Sequence, residues 1–139
     1  MLNADASVLT VAVAVAVAVA DDGKDGDVAR VRLRGEALAT PEVVDFEVIS
    51  LSRRQNRTGA FDHRRAASAM TDLQALPIQR ATRLPLLDRC WGLPDDLTTY
   101  DVAHVALAEA LNATLLTGDR GLARAPGPTC TIELFEGPS

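Results

Sequence analysis

Residues 11–20 read VAVAVAVAVA, and with Val8 and Leu9 the apolar run extends to Ala20, broken only by Thr10. Valine and alanine are both apolar, so the tract presents no polar face as a helix or as a strand and has to be covered on every side. At about 13 residues it is shorter than the roughly 20 that a helix needs to cross a bilayer. Burial inside a core is the remaining solution. A chain of 139 residues with 47% hydrophobic residues is long enough for one core and short for two, so one domain over 1–139 is expected. Within it we read a strand from Leu2 to about Asp5, then a buried helix filled by the tract, with a longer first strand as the competing reading. The DDGKDGD that follows, residues 21–27, is a polar turn.

The same run resembles the apolar region of a signal peptide, and Ala18-Val19-Ala20 before Asp21 has the form of a cleavage site. The preceding MLNAD carries no positive charge and one aspartate, which argues against export. A cytoplasmic protein without membrane association is expected, with export as the minor alternative. The two cysteines, Cys90 and Cys130, have no CxxC spacing and no histidines at metal-ligand spacing, which excludes a zinc site and leaves two buried small hydrophobes in a reducing compartment.

Beyond the tract, turn and cap signals divide the chain into alternating helices and strands. Residues 28–34 read as a short helix ended by Gly35, and 37–39 as a brief strand. Thr40 as N-cap with Pro41 at the first helical position predicts a helix from about Pro41 to Asn56. Asp62 caps a helix to about Leu76; strand 77–81 and a helix from about Pro85 to Leu93 follow. Thr98 or Thr99 caps a helix reaching Ala113; strand Thr114–Thr117, a short helix from near Asp119, a PGP turn and a final TIELF strand complete the chain. This order predicts a three-layer α/β/α domain around a mostly parallel central sheet.

Ligands of such sheets gather beyond the carboxyl ends of the strands, at the point where strand order reverses. Asp5 and Asp119 occupy such ends, although helix capping explains each equally well. Two acids on helices constrain the reading further. Glu47 has Val43 and Val44 at i−4 and i−3 and Leu51 at i+4, so it lies within an apolar stripe, whereas Asp45 is on a solvated face. Asp101 lies in line with Val105 and Ala108 near the start of its helix. A carboxylate on such a face must be paired, protonated or bound to a cation, and a shared cation is the economical solution. All-oxygen ligation selects Mg²⁺, with Mn²⁺ as substitute, over zinc or copper. The matching reaction is phosphodiester hydrolysis by a metal-activated water, with one metal or two left open.

The net charge of −5 is the wrong sign for a nucleic-acid-binding domain as a whole, so nucleic acid has to be met locally. Thirteen of the fourteen basic residues are arginines, clustered as Arg30, Arg32 and Arg34, as Arg53, Arg54 and Arg57, and as Arg64 and Arg65. These clusters suit phosphates or an acidic partner, or are solvated helix faces. Aromatics are 4% of the chain, which excludes a base-stacking platform. His104 lies at i+3 from Asp101 and reads more readily as a packed core histidine than as a ligand.

Four segments, DAS at 5–7, PEVVDFEV at 41–48, TYDVAHVALAEAL at 99–111 and LLTGDRGLA at 115–123, together resemble the PIN domain as it occurs in VapC toxins. The resemblance implies that Asp5, Glu47, Asp101 and Asp119 are the catalytic, metal-binding quartet. It implies supporting hydroxyls at Ser7 and Thr117, which capping or strand-end hydrogen bonds would equally explain. It further implies a metal-dependent endoribonuclease acting on structured transfer or ribosomal RNA, a homodimer, and a cognate VapB-like antitoxin. A non-catalytic PIN-like protein that binds RNA or a partner is the alternative. Because export would remove Asp5, the intact mass of the protein recovered from cells is expected to include residues 1–20; a mature chain beginning at Asp21 would sink the quartet.

Overall fold

The structure, a computed structural model, describes residues 8–11 and 31–134. Five strands form one sheet: β1 (Val8–Val11), β2 (Ala37–Pro41), β3 (Ile78–Ala81), β4 (Thr114–Thr117) and β5 (Ile132–Leu134). Their spatial order is β3-β2-β1-β4-β5, and every pairing is parallel. Leu9 pairs with Leu38 of β2 on one side and with Thr114 of β4 on the other, which makes β1 the central strand. The order reverses between β1 and β4, the point beyond whose carboxyl ends such sheets take their ligands.

The expected strand Leu2–Asp5 lies outside the described residues; the first described strand is β1. VLTV, at 8–11, occupies the start of the run that was read as a buried helix, so the competing reading of a strand in this region is the better one there. Residues 1–7 and 12–30, which hold the rest of that expectation, lie outside the described residues. A central strand of a parallel sheet favours β-branched apolar residues, which VLTV supplies. A second difference is at Thr40 and Pro41. Both close β2, with Pro41 paired to Ala81, and do not open a helix. A proline is tolerated at the end of a strand because no further ladder donor is required of it.

Helices cover both faces. On one lie α1 (Val44–Arg57) and α2 (His63–Ala75). Val44 and Val48 of α1 and Ala69 and Leu73 of α2 pack on Leu38, Ile78 and Leu116. Asp62 caps α2 as expected, accepting from the Arg65 amide at 2.8 Å. The opposite face carries a 3-10 turn (Leu84–Leu86), α3 (Leu87–Gly92), α4 (Thr99–Leu111) and α5 (Arg120–Arg124). Here Leu86, Ala106 and Leu107 pack on Ala39, while Val102, Val105, Ala108 and Leu122 surround Leu115. Leu115 and Leu116, adjacent in β4, thus serve opposite layers, as the two-residue period of a strand requires. Burying each contributes roughly 1.5–3 kcal/mol.

Helix α4 is buried almost all round, from Val102 through Ala108 with Ala103 half-covered. Thr98 caps its start, accepting from the Asp101 amide at 3.1 Å. Asn112 ends it in the left-handed region at φ 52°, while the Ala113 amide reaches back to the Ala108 carbonyl at 2.9 Å, the pattern of a Schellman motif.

Ion pairs tie the layers at their rims. Arg89 of α3 grips Glu109 of α4 at 2.6 and 3.1 Å, and the second Glu109 oxygen also accepts from the Thr129 amide at 2.7 Å. These bonds hold the Glu109 carboxyl below the usual glutamate range, Arg89 contributing most. Cys90 and Cys130 are free and half-buried against the α4 core, and desolvation pushes both thiols up. Because Glu109 has a lowered pKa in the folded state, its contribution is complete above the unfolded value of about 4.5 and disappears as pH falls through the folded one. Glu109→Gln is therefore expected to lower stability by about 1 kcal/mol near neutrality. The gap from the parent protein should close in thermal melts as the pH falls below 4.5; a gap that persists in acid would assign the effect to packing.

Candidate active site

The carboxyl edge of the sheet is where the two helical layers come nearest to sharing polar side chains. Strand β2 delivers the chain to α1, whose first turn carries Asp45 and Glu47. The Glu47 Oε1 lies 2.9 Å from Nε2 of His104 on α4. The ring is buried, its side chain 1% exposed, whereas Glu47 is 27% exposed, so the carboxylate stands at the boundary between core and solvent. The partner required by a carboxylate in an apolar stripe is thus, among the described residues, an imidazole from the opposite layer. His104 is a core histidine, as its place on an apolar helix suggested, but one with a specific polar contact.

Asp101 lies in the first turn of α4, half-buried, one turn before His104. Its amide is fixed by Thr98, and the helix N-terminus favours its negative charge. Asp119 lies two residues beyond β4 and is exposed. Its Oδ1 accepts from the amides of Gly121 at 2.8 Å and Leu122 at 3.2 Å, so it caps α5. Its own amide donates to Oγ1 of the fully buried Thr117 at 3.1 Å. A side chain at 121 would bring a Cβ to 3.1 Å from Asp119 Oδ1, so glycine there leaves the carboxylate its place. Oδ2 of Asp119 and Oε2 of Glu47 take no part in these bonds.

Among the described residues, no three histidine, cysteine or acidic side chains come together as a metal-binding group. Glu47 and His104 meet; Asp101 and Asp119 are each held within their own helix starts. Asp5 and Ser7 lie outside the described residues. Asp45, expected to be solvated, pairs with Arg80 at 2.9 Å, and Arg80 also donates to the Leu73 carbonyl. What the sequence did not display was the Glu47–His104 contact. The two residues are 57 positions apart, and the only local signal was a polar ring in an otherwise apolar helix.

Arg53, Arg54 and Arg57 are exposed along the same α1 that carries Glu47. Arg53 and Arg57 line a groove of about 300 Å³ with Ile49, Ser52, Asn56 and Met70. At 1.5 Å per residue, Arg53 and Arg57 stand roughly 9 and 15 Å from Glu47 along the helix axis. By contrast, Arg32 is committed to Glu36 and Glu133, Arg80 to Asp45, and Arg83 to Glu42.

The PIN domain family matches residues 11–128. The ribonuclease VapC9 of Mycobacterium tuberculosis is 37% identical over 107 residues, spanning 75% of this chain and 82% of its own length. VapC1 of the same organism is 37% identical over 116 residues, spanning 83% and 87%. Among solved structures, the Mycobacterium tuberculosis VapC20 toxin, described as cleaving the sarcin-ricin loop, superposes with a TM-score of 0.62 at 17% identity, covering 86% of this chain and 95% of that one. A parallel sheet with acids at its carboxyl edge, a family match over most of the length and relatives aligned along most of theirs lead to one conclusion: the chain belongs to the PIN-domain ribonucleases of the VapC toxin family.

Proposed function

We propose that the chain cleaves structured RNA, transfer or ribosomal, as the toxic partner of a cytoplasmic VapB-like antitoxin, using Mg²⁺, with Mn²⁺ as substitute. The observation that carries this reading is Glu47, a half-exposed carboxylate at the carboxyl edge of a parallel sheet, held by a buried ring and with one oxygen outside that bond. The donors fit the ion. Glu47, Asp101 and Asp119 from the described elements, with Asp5 from the amino-terminal segment, offer only carboxylate oxygens. Thr117 fixes the backbone of Asp119, and the family resemblance gives Ser7 a supporting hydroxyl. When bound, the cation supplies Lewis acidity that activates water and stabilises the departing oxygen. Without it the gathered acids would repel one another. The arginines of α1 take the RNA backbone, which provides a local basic surface on an acidic molecule.

A homodimer is the second part of the proposal. Leu84, Leu87 and Trp91 recur at one helical face, and with Tyr100 they leave large apolar side chains exposed, Trp91 at 92%. Burying such a face between two copies is its simplest use.

Two outcomes are expected. Mn²⁺ should raise the melting temperature of the parent protein, and Asp101→Asn should abolish cleavage of cellular RNA, mapped as new 5′ ends after brief induction, without unfolding the protein. Intact RNA together with an unmoved melting temperature would favour a binding protein over a nuclease. Separately, Trp91→Glu should convert a dimer to a monomer in light scattering, and an unchanged mass would place the interface elsewhere.

A further inference from the structure

A purely structural role for His104 leaves two facts unexplained. It is the one large polar side chain on α4 that is completely buried, set among Val102, Val105, Ala106, Leu107 and Ala108. And while Nε2 reaches Glu47 Oε1 at 2.9 Å, Nδ1 has no hydrogen-bond partner among the described residues and is buried. An apolar residue at 104 would fill the core without leaving a polar atom unsatisfied.

The orphaned nitrogen decides which proton arrangement the pair adopts. A doubly protonated ring would bury a charged N–H at Nδ1 with no acceptor, the costliest case. A ring protonated only at Nδ1 would leave the same orphaned donor and would require Glu47 to carry a proton to satisfy Nε2. With the proton on Nε2, a bare lone pair is all that remains unpartnered, and Glu47 Oε1 accepts the ring N–H. This last arrangement is also the one in which Glu47 can serve a cation.

We propose that His104 is a positioning residue for the metal site: its buried Nε2–H donates to Glu47 Oε1, holds the carboxylate in one rotamer, and leaves Oε2 for the ion. The inference rests on the proposed metal reading and adds to it a residue outside the quartet. A glutamate has several rotamers to lose when it binds an ion; a donor fixed in the core removes most of that loss before the ion arrives. Partners of this kind change metal affinity by about ten- to hundredfold.

The test uses the full-length protein and Mn²⁺ as probe, with His104→Leu removing the donor at similar bulk and His104→Gln returning an N–H near the position of Nε2. His104→Leu is expected to weaken Mn²⁺ binding in calorimetry by about tenfold or more, and to lower kcat for RNA cleavage while KM for RNA stays unchanged. His104→Gln should recover most of both. In the metal-free parent, ¹⁵N spectra should show His104 protonated at Nε2 and bare at Nδ1, with the Nε2 resonance moving in Glu47→Gln. The proposal is overturned if His104→Leu binds Mn²⁺ like the parent, if His104→Gln loses as much as His104→Leu, or if the metal-free ring carries its proton on Nδ1. If His104→Leu does not fold, the spectra and His104→Gln decide alone. Failure of the metal reading itself is distinct: the parent protein would then bind no Mn²⁺, which is seen before any variant is compared and removes this proposal with it.

Discussion

An all-parallel sheet covered by helices on both faces has nowhere to put polar chemistry except beyond its strand ends. That constraint organises the molecule. Leu38 and Leu116 face one layer, Ala39 and Leu115 the other, and none of these positions can accommodate a charge. The acids therefore emerge at helix starts, on the first turns of α1 and α4 and at the cap of α5. Among the described residues, the carboxyl edge is where Glu47 and His104 meet across the two layers.

Much of this was legible in the linear chain, because local rules fix it. The capping roles of Asp62 and Thr98 and the start of α5 at Asp119 are read from side chains that bond amides two or three residues on. So is TLLT as a buried strand. Where expectation and structure part, tertiary demands outweigh local ones. Thr40 and Pro41 form a good helix start in isolation, yet pairing with β3 draws them into the sheet. Central position in the sheet decides which apolar stretch becomes β1, and that preference is invisible without the neighbouring strands. Asp45 looked solvated because Arg80 lies 35 positions away, and Glu47 looked unpartnered because His104 lies 57 away. Local periodicity identified the faces on which these acids lie; it carried no information about which elements would be brought opposite them.

Charge is distributed with the same economy. Several arginines are spent on internal carboxylates: Arg32 clamps Glu133 on β5, Arg80 joins α1 to β3, and Arg89 fastens α3 to α4 and the loop at 127–129. These forks stitch the periphery of a small domain whose core is built from short aliphatic side chains. The arginines of α1, by contrast, stay at the surface beside the acids, so an acidic protein can still offer phosphates a basic approach.

Asp119 and Glu47 reach the same edge by different means, and this sets how each responds when the domain loosens. Asp119 is aligned by amides of its own turn and by a threonine two residues back; it keeps its geometry as long as a few consecutive residues stay wound. Glu47 is aligned by a ring from the other layer, so its geometry is a property of the assembled domain. A molecule in which the two layers part would retain one acid in place and release the other. The placement of Glu47 is therefore tied to the joining of the two layers, and a partly opened domain loses it before the turn that holds Asp119 unwinds.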